Sequence, residues 1–238
     1  MKSGLGRVLA GVCVAAALAG TAACGAESGD DAGKSSDKAA QKPAAKAKPG
    51  LPALTEAQLT KAALAKGDVK GYRITKAAED EIPDVSVPAD PASCQAIADL
   101  FFLGTEPDAK ARVARSVISV TRTEATIVRV GLFGNEEGDA KKLVADLREQ
   151  SESCDAYEHT DYKYSDVTPG KASDLGDESV AFTLAGVVDK EKMQLGYTIV
   201  RSGSTVLVFQ ALNAMNGEKA EVPAEVVEAQ VAKLEKQA

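Results

Sequence analysis

Apolar residues recur along this chain at two periods, and the switching between them predicts an α+β fold. Thr55 and Gln58 have capping-box spacing, so a helix is expected over residues 55–65 with Leu54, Leu59 and Leu64 apolar. Gly67 ends it, and a short strand begins at Gly71-Tyr72-Arg73-Ile74. A loop with Pro83, Pro88 and Pro91 follows, after which Ser93 is read as the cap of a helix bearing Cys94, Ile97, Leu100 and Phe101. Residues 112–122 and 125–133 are rich in Val, Ile and Thr and read as two strands joined through Thr123-Glu124. A periodic helix starts at Asn135, buries Leu143, Val144 and Leu147, and ends just before Cys154.

Residues 157–167 alternate as an edge strand, and three further strands are expected at 179–188, 193–201 and 205–213. Pro223 opens a closing helix with Val226, Val227, Val231 and Leu234 as its apolar stripe. The expected architecture is a mostly antiparallel twisted sheet with helices packed on one face.

The first 50 residues follow a different rule. Lys2 and Arg7 precede an apolar or small-residue run at 8–19, then Thr21-Ala22-Ala23-Cys24. A run of about 12 residues is too short to span a bilayer, which needs roughly 20, and fits the core of an export signal. The arrangement reads as a lipoprotein signal over residues 1–23, with Cys24 acylated (palmitate in type) as the first mature residue. Thr21 stands where Leu is usual, and the competing reading is an ordinary cleaved signal with a cysteine beside its cut.

Residues 25–50 contain no aromatic and no β-branched residue, so they cannot bury enough apolar surface to offset chain entropy. With Cys24 they form a disordered tether, 24–50, whose average span is roughly 28 Å for a flexible coil. Residues 51–238 are then one extracytoplasmic domain. The expected location is the outer face of the cell membrane, held by lipid.

Charge narrows the partners. Residues 51–238 carry 31 acidic and 21 basic side chains with no basic cluster, which argues against nucleic acid. The partners expected are the membrane, through the lipid anchor, and an unknown envelope protein or small ligand. Cysteine parity points to export: with Cys13 lost and Cys24 acylated, Cys94 and Cys154 remain to form one disulfide. That bridge closes a loop of about 61 residues, worth roughly 4 kcal/mol in the chain-entropy model.

Catalytic chemistry is scarce. His159 is the only histidine, and no nucleophile elbow, P-loop or paired-His motif accompanies it. No metal, cofactor or catalytic residue is expected. Tyr157, Tyr162 and Tyr164 are three of the five tyrosines and are interleaved with Asp155, Glu158, Asp161 and Asp166. On one strand Tyr157, His159 and Asp161 would share a face, with Glu158, Tyr162 and Tyr164 on the other. This stretch is the candidate binding surface, against the alternative of a hydrated edge strand with a surface histidine. Asp174, Asp177 and Glu178 around Gly176 suit either a turn or an oxygen-rich cation loop. Glu136, Glu137 and Asp139 meet the dipole of the helix they begin.

Several of these segments together resemble one group of exported actinobacterial proteins. They are the Cys24 tether, the Thr55-Glu56-Ala57-Gln58-Leu59 helix with Gly71-Tyr72-Arg73, the Cys94 and Cys154 pair, residues 174–182, and the Arg201-Ser202-Gly203-Ser204 turn. The group is that of Streptomyces-type lipoproteins related to the extracellular sensor domain of a mycobacterial serine/threonine kinase. The resemblance implies an α+β fold with a cleft, no catalytic centre and a sensor-like binding role. The other functional classes compatible with the chain are an envelope hydrolase with dispersed catalytic residues and a lipid carrier with a large apolar cavity.

Overall fold

The computed structural model describes residues 51–78, 82–83, 85–120, 126–188, 191–213 and 220–237. The signal, Cys24, the tether and the Thr123-Glu124 turn lie outside them. Eight antiparallel strands form one sheet in the order β1-β2-β3-β8-β7-β6-β5-β4. They are β1 (Tyr72–Lys76), β2 (Ala111–Ser119), β3 (Thr126–Gly134), β4 (Tyr157–His159), β5 (Tyr162–Pro169), β6 (Glu178–Val188), β7 (Glu191–Ser202) and β8 (Thr205–Asn213). The helices are α1 (Glu56–Ala62), α2 (Gln95–Asp99), α3 (Glu137–Ser153) and α4 (Ala224–Glu235). Two 3-10 turns flank α2, Ala92–Cys94 before it and Leu100–Phe102 after it.

The α+β class and the antiparallel sheet match expectation; the placement of the helices does not. Helices pack on both faces. On one face, α2 and α3 cover Phe133, Val180, Phe182, Leu184, Tyr197, Ile199, Val206 and Val208. On the other, α1 and α4 cover Val113, Val117, Val128, Val130, Leu132, Leu207 and Phe209. The reason lies in β8, where every position from Thr205 to Ala211 is buried. A strand apolar at consecutive positions needs cover on both sides. Gly196 in β7 admits the approach of the chain before α4: a Cβ there would overlap the Ala220 carbonyl oxygen.

Local signals decide most element ends. The capping box at Thr55 is present, with Gln58 Oε1 accepting from the Thr55 amide at 2.9 Å. The helix stops three residues earlier than the sequence pattern suggests, because Ala63 is extended. Gln230 of α4 then takes over its end, donating to Ala62 O (2.8 Å) and accepting from the Leu64 amide (3.0 Å). Ser93 makes no cap: Pro91 precedes a 3-10 turn, and α2 starts at Gln95. The α3 helix begins at Glu137, two residues after Asn135, which is buried and bonded to Ser204 O and Phe133 O.

Cys94 and Cys154 form the expected disulfide, with Cα atoms 5.6 Å apart. It ties the turn entering α2 to the residue capping α3. No helix among the described residues is long and apolar enough to cross a membrane.

Candidate functional site

The α2 segment ends in a reversal that opens a cleft. Leu103 adopts a left-handed backbone (φ 52°), and the Gly104 amide returns to Asp99 O at 2.9 Å. The chain then loops through Thr105 and Asp108 into β2. Val85, Ser86, Asp99, Thr105, Lys110 and Arg112 line a concavity of about 660 Å³, with Phe133 at its base.

Its polar groups are held by neighbours rather than left loose. Asp99, only 6% exposed, accepts from Ser86 Oγ (3.0 Å) and Gln95 Nε2 (2.8 Å). Arg112 donates to Leu103 O (3.1 Å) and Ile82 O (3.2 Å), joining both rims. Thr105 Oγ1 donates to Pro107 O at 3.0 Å. With exposed Asp108 and Lys110 at the mouth, the cleft presents both signs of charge. That suits a small polar guest. Among the described residues, no three His, Cys, Asp or Glu side chains converge as metal ligands.

Beside the cleft lies the tyrosine-rich stretch, and here the fold corrects the sequence reading. Residues 157–167 are a hairpin, not one strand. Thr160 and Asp161 both have positive φ (53° and 64°), as a two-residue type I′ turn requires. The turn places Tyr157 opposite Tyr164 and His159 opposite Tyr162, so all four rings share a face. Tyr157, His159 and Tyr164 are buried, Tyr162 is half-buried, and only Asp161 of the five candidate residues is exposed. Their apolar ring area seals the end of the core, so they do not form an open binding surface.

Tyr157 stacks on Tyr164 at 5.0 Å between centroids, and His159 meets Phe102 at 5.8 Å and Phe101 at 6.1 Å. Neither imidazole nitrogen has a hydrogen-bond partner, nor does the Tyr164 hydroxyl. Burial pushes the His159 pKa down, opposed by the Asp99 carboxylate and the Val87 carbonyl. Burial likewise raises Tyr157 and Tyr164. Tyr197 is pushed up to about 12 by burial, against the Gln210 hydrogen bond. That bond (2.6 Å) belongs to a polar chain crossing the sheet: Gln210 also accepts from Arg129 Nε, and Arg129 donates to Phe101 O.

The acidic cluster at 174–178 is accounted for by a distant residue. Arg201, 6% exposed, donates to Asp177 Oδ2 (2.8 Å), Glu178 Oε1 (2.8 Å) and Gly203 O (2.9 Å). Asp177 also accepts the Gly203 amide at 2.8 Å. Two motifs separated in sequence are thus one clamp at the start of the β6–β7 pair, where Glu178 lies opposite Arg201. The first turn of α3 carries Glu137 and Asp139; Glu137 binds Lys141 and the Leu51 amide, which hold its carboxyl below the usual range.

The residues that build the cleft, Asp99, Thr105 and Arg112, were not singled out by sequence. The available signal was an aspartate inside the apolar run at 96–103.

No protein-family model matches the chain, and no curated protein matches it in sequence. The fold is similar to that of the extracellular domain of PknH from Mycobacterium tuberculosis. That match has 9% identity and a TM-score of 0.50, over 79% of this chain and 98% of that one. A second solved structure, an uncharacterized Mycobacterium smegmatis protein (Rv0999 ortholog), matches at 13% identity and TM-score 0.41, over 76% of this chain and 95% of its own. At 9% identity the PknH match establishes a shared fold.

Proposed function

We propose that this chain is a lipid-anchored, extracytoplasmic binding domain that takes a small polar ligand in the Asp99–Arg112 cleft, in the manner of a sensor. The cleft carries the reading. Its polar groups converge on a concave site and are positioned by neighbouring hydrogen bonds, and one of them, Asp99, sits on a helix tied to α3 by the disulfide. The disulfide and a fold like that of an extracellular domain support location outside the cytoplasm. The Cys24 context supports the anchor.

Binding fits the site better than hydrolysis does. The only histidine is buried among aromatic rings with neither nitrogen hydrogen-bonded, so no imidazole base serves the cleft. A lipid carrier would need an apolar cavity, whereas this cleft holds Asp99, Asp108, Lys110 and Arg112.

Mass spectrometry of small molecules released from protein purified out of native membranes tests the proposal. A stoichiometric polar compound is expected, and a protein that carries none and binds none from envelope extract would refute it. Cys24→Ala is expected to move the protein from the membrane to the soluble fraction. Continued membrane fractionation would remove the anchor from the reading.

A further inference from the structure

One wall of the cleft is a strap, residues 85–90, exposed except at half-buried Val87 and buried Ala89, and its attachments run directly to the surroundings of His159. Ser86 Oγ donates to Asp99 Oδ1 (3.0 Å). Gln95 Nε2 donates to Val87 O (3.0 Å), and Gln95 Oε1 accepts the Ala89 amide (2.8 Å). Asp90 and Glu158 exchange two backbone hydrogen bonds, Asp90 N to Glu158 O (3.0 Å) and Glu158 N to Asp90 O (2.8 Å). The strap is therefore pinned to α2 on one side and, on the other, to the residue immediately before His159.

His159 is 2% exposed and lies between Phe101, Phe102 and Tyr164. The Val87 carbonyl approaches its ring without hydrogen-bond geometry. A neutral imidazole needs an acceptor for its N–H, and an imidazolium needs two. In the closed arrangement neither ring nitrogen meets an acceptor in hydrogen-bond geometry. The neighbouring groups on each packed element are Asp99 on α2, Phe101 and Phe102 on the 3-10 turn after it, Tyr157 on β4, and Tyr162 and Tyr164 on β5. Asp99 is the one carboxyl group among them, and both Ser86 and Gln95 donate to its Oδ1.

We propose that His159 is an acid-responsive latch for the 85–90 strap. Protonation places a charge in a nest of buried aromatic rings beneath the strap, where desolvation disfavours it. Hydrating that charge requires the overlying strap to lift from α2 and from Glu158, which opens the cleft wall formed by Val85 and Ser86. The sign follows from burial. A histidine whose folded pKa lies below its unfolded value near 6.5 resists protonation in the closed state. Acid therefore favours the open state, and the closed strap is fully favoured above about pH 6.5. The latch operates whatever molecule occupies the cleft.

The test combines NMR titration of the His159 ring with amide hydrogen exchange in the full chain between pH 7.5 and 4.5. The Ala89 and Asp90 amides, corrected for intrinsic exchange, are expected to lose at least tenfold protection with the midpoint of the His159 titration. The Val208 amide in β8 should keep its protection. His159→Phe, which keeps a ring in the nest, is expected to abolish the pH dependence of the strap. Three results would overturn the latch: His159 titrating without a change at Ala89 and Asp90, strap and Val208 protection falling together, or the pH dependence persisting in His159→Phe. If that variant does not fold, agreement or disagreement of the two midpoints in the unmodified chain decides the matter.

Discussion

Removing the disulfide with the double substitution Cys94→Ala, Cys154→Ala isolates the contribution of chain constraint. Both residues are replaced so that no thiol is left without its partner in the interior, where Cys94 and Cys154 are 1% and 5% exposed. They are 60 residues apart in sequence. A cross-link closing a loop of that size lowers unfolded-state entropy by an amount worth about 4 kcal/mol at 25 °C. The bridge joins elements that already pack on each other, α2 and α3, so the folded state should keep its architecture. Domains of this kind have total stabilities of roughly 5–15 kcal/mol, so the loss is large but survivable. Equilibrium urea unfolding measures it. The variant is expected to lose 3–4 kcal/mol and to show a larger m-value, because its unfolded chain expands further. A loss below about 1 kcal/mol with unchanged m would refute the entropic reasoning.

Other positions give independent checks. Gly196→Ala sets a methyl against the Ala220 carbonyl and is expected to cost about 2 kcal/mol or more in urea unfolding, since backbone must move to admit it. Arg201→Met leaves Asp177 and Glu178 without their shared donor and is expected to cost about 2 kcal/mol, discounted because both acids are partly exposed. Arg201→Lys should recover only part of this, because one ammonium cannot reproduce the fork. Tyr197, held at about 12, keeps its proton in the folded chain while the unfolded chain ionises near 10, so stability should fall as pH rises above about 10. A flat stability profile from pH 10 to 12 would contradict that burial.

Elements with unbroken periodicity were readable directly: α3 and α4 bury the residues expected, and β6, β7 and β8 fall within three residues of their anticipated bounds. The β4–β5 turn was not, because Thr160-Asp161 lacks the Asn-Gly signature, and the two consecutive polar residues there, which break the alternation of rings and polar residues, read equally well as part of one strand. A two-residue turn shifts the phase of that alternation. Tyr162 and Tyr164 thereby join Tyr157 and His159 on one face, and four apparently amphipathic positions become one aromatic nest.

Which sheet face a helix covers is equally invisible, since α1, α3 and α4 carry similar apolar stripes and only the strand order separates them. The cleft depends on contacts from three distant segments. Asp99 looks like a stray charge in an apolar run until Ser86 and Gln95 are brought to it. Arg112 looks like a strand surface residue until Leu103 and Ile82 turn their carbonyls toward it.

Backbone NMR during addition of a small-molecule fraction of envelope extract asks whether the domain binds in the Asp99–Arg112 cleft. Saturable shifts are expected at Ser86, Asp99, Gly104, Thr105 and Arg112, and they should vanish in Ala109→Trp, which fills the cleft. Shifts that cluster elsewhere, or that survive the filled cleft, would contradict it.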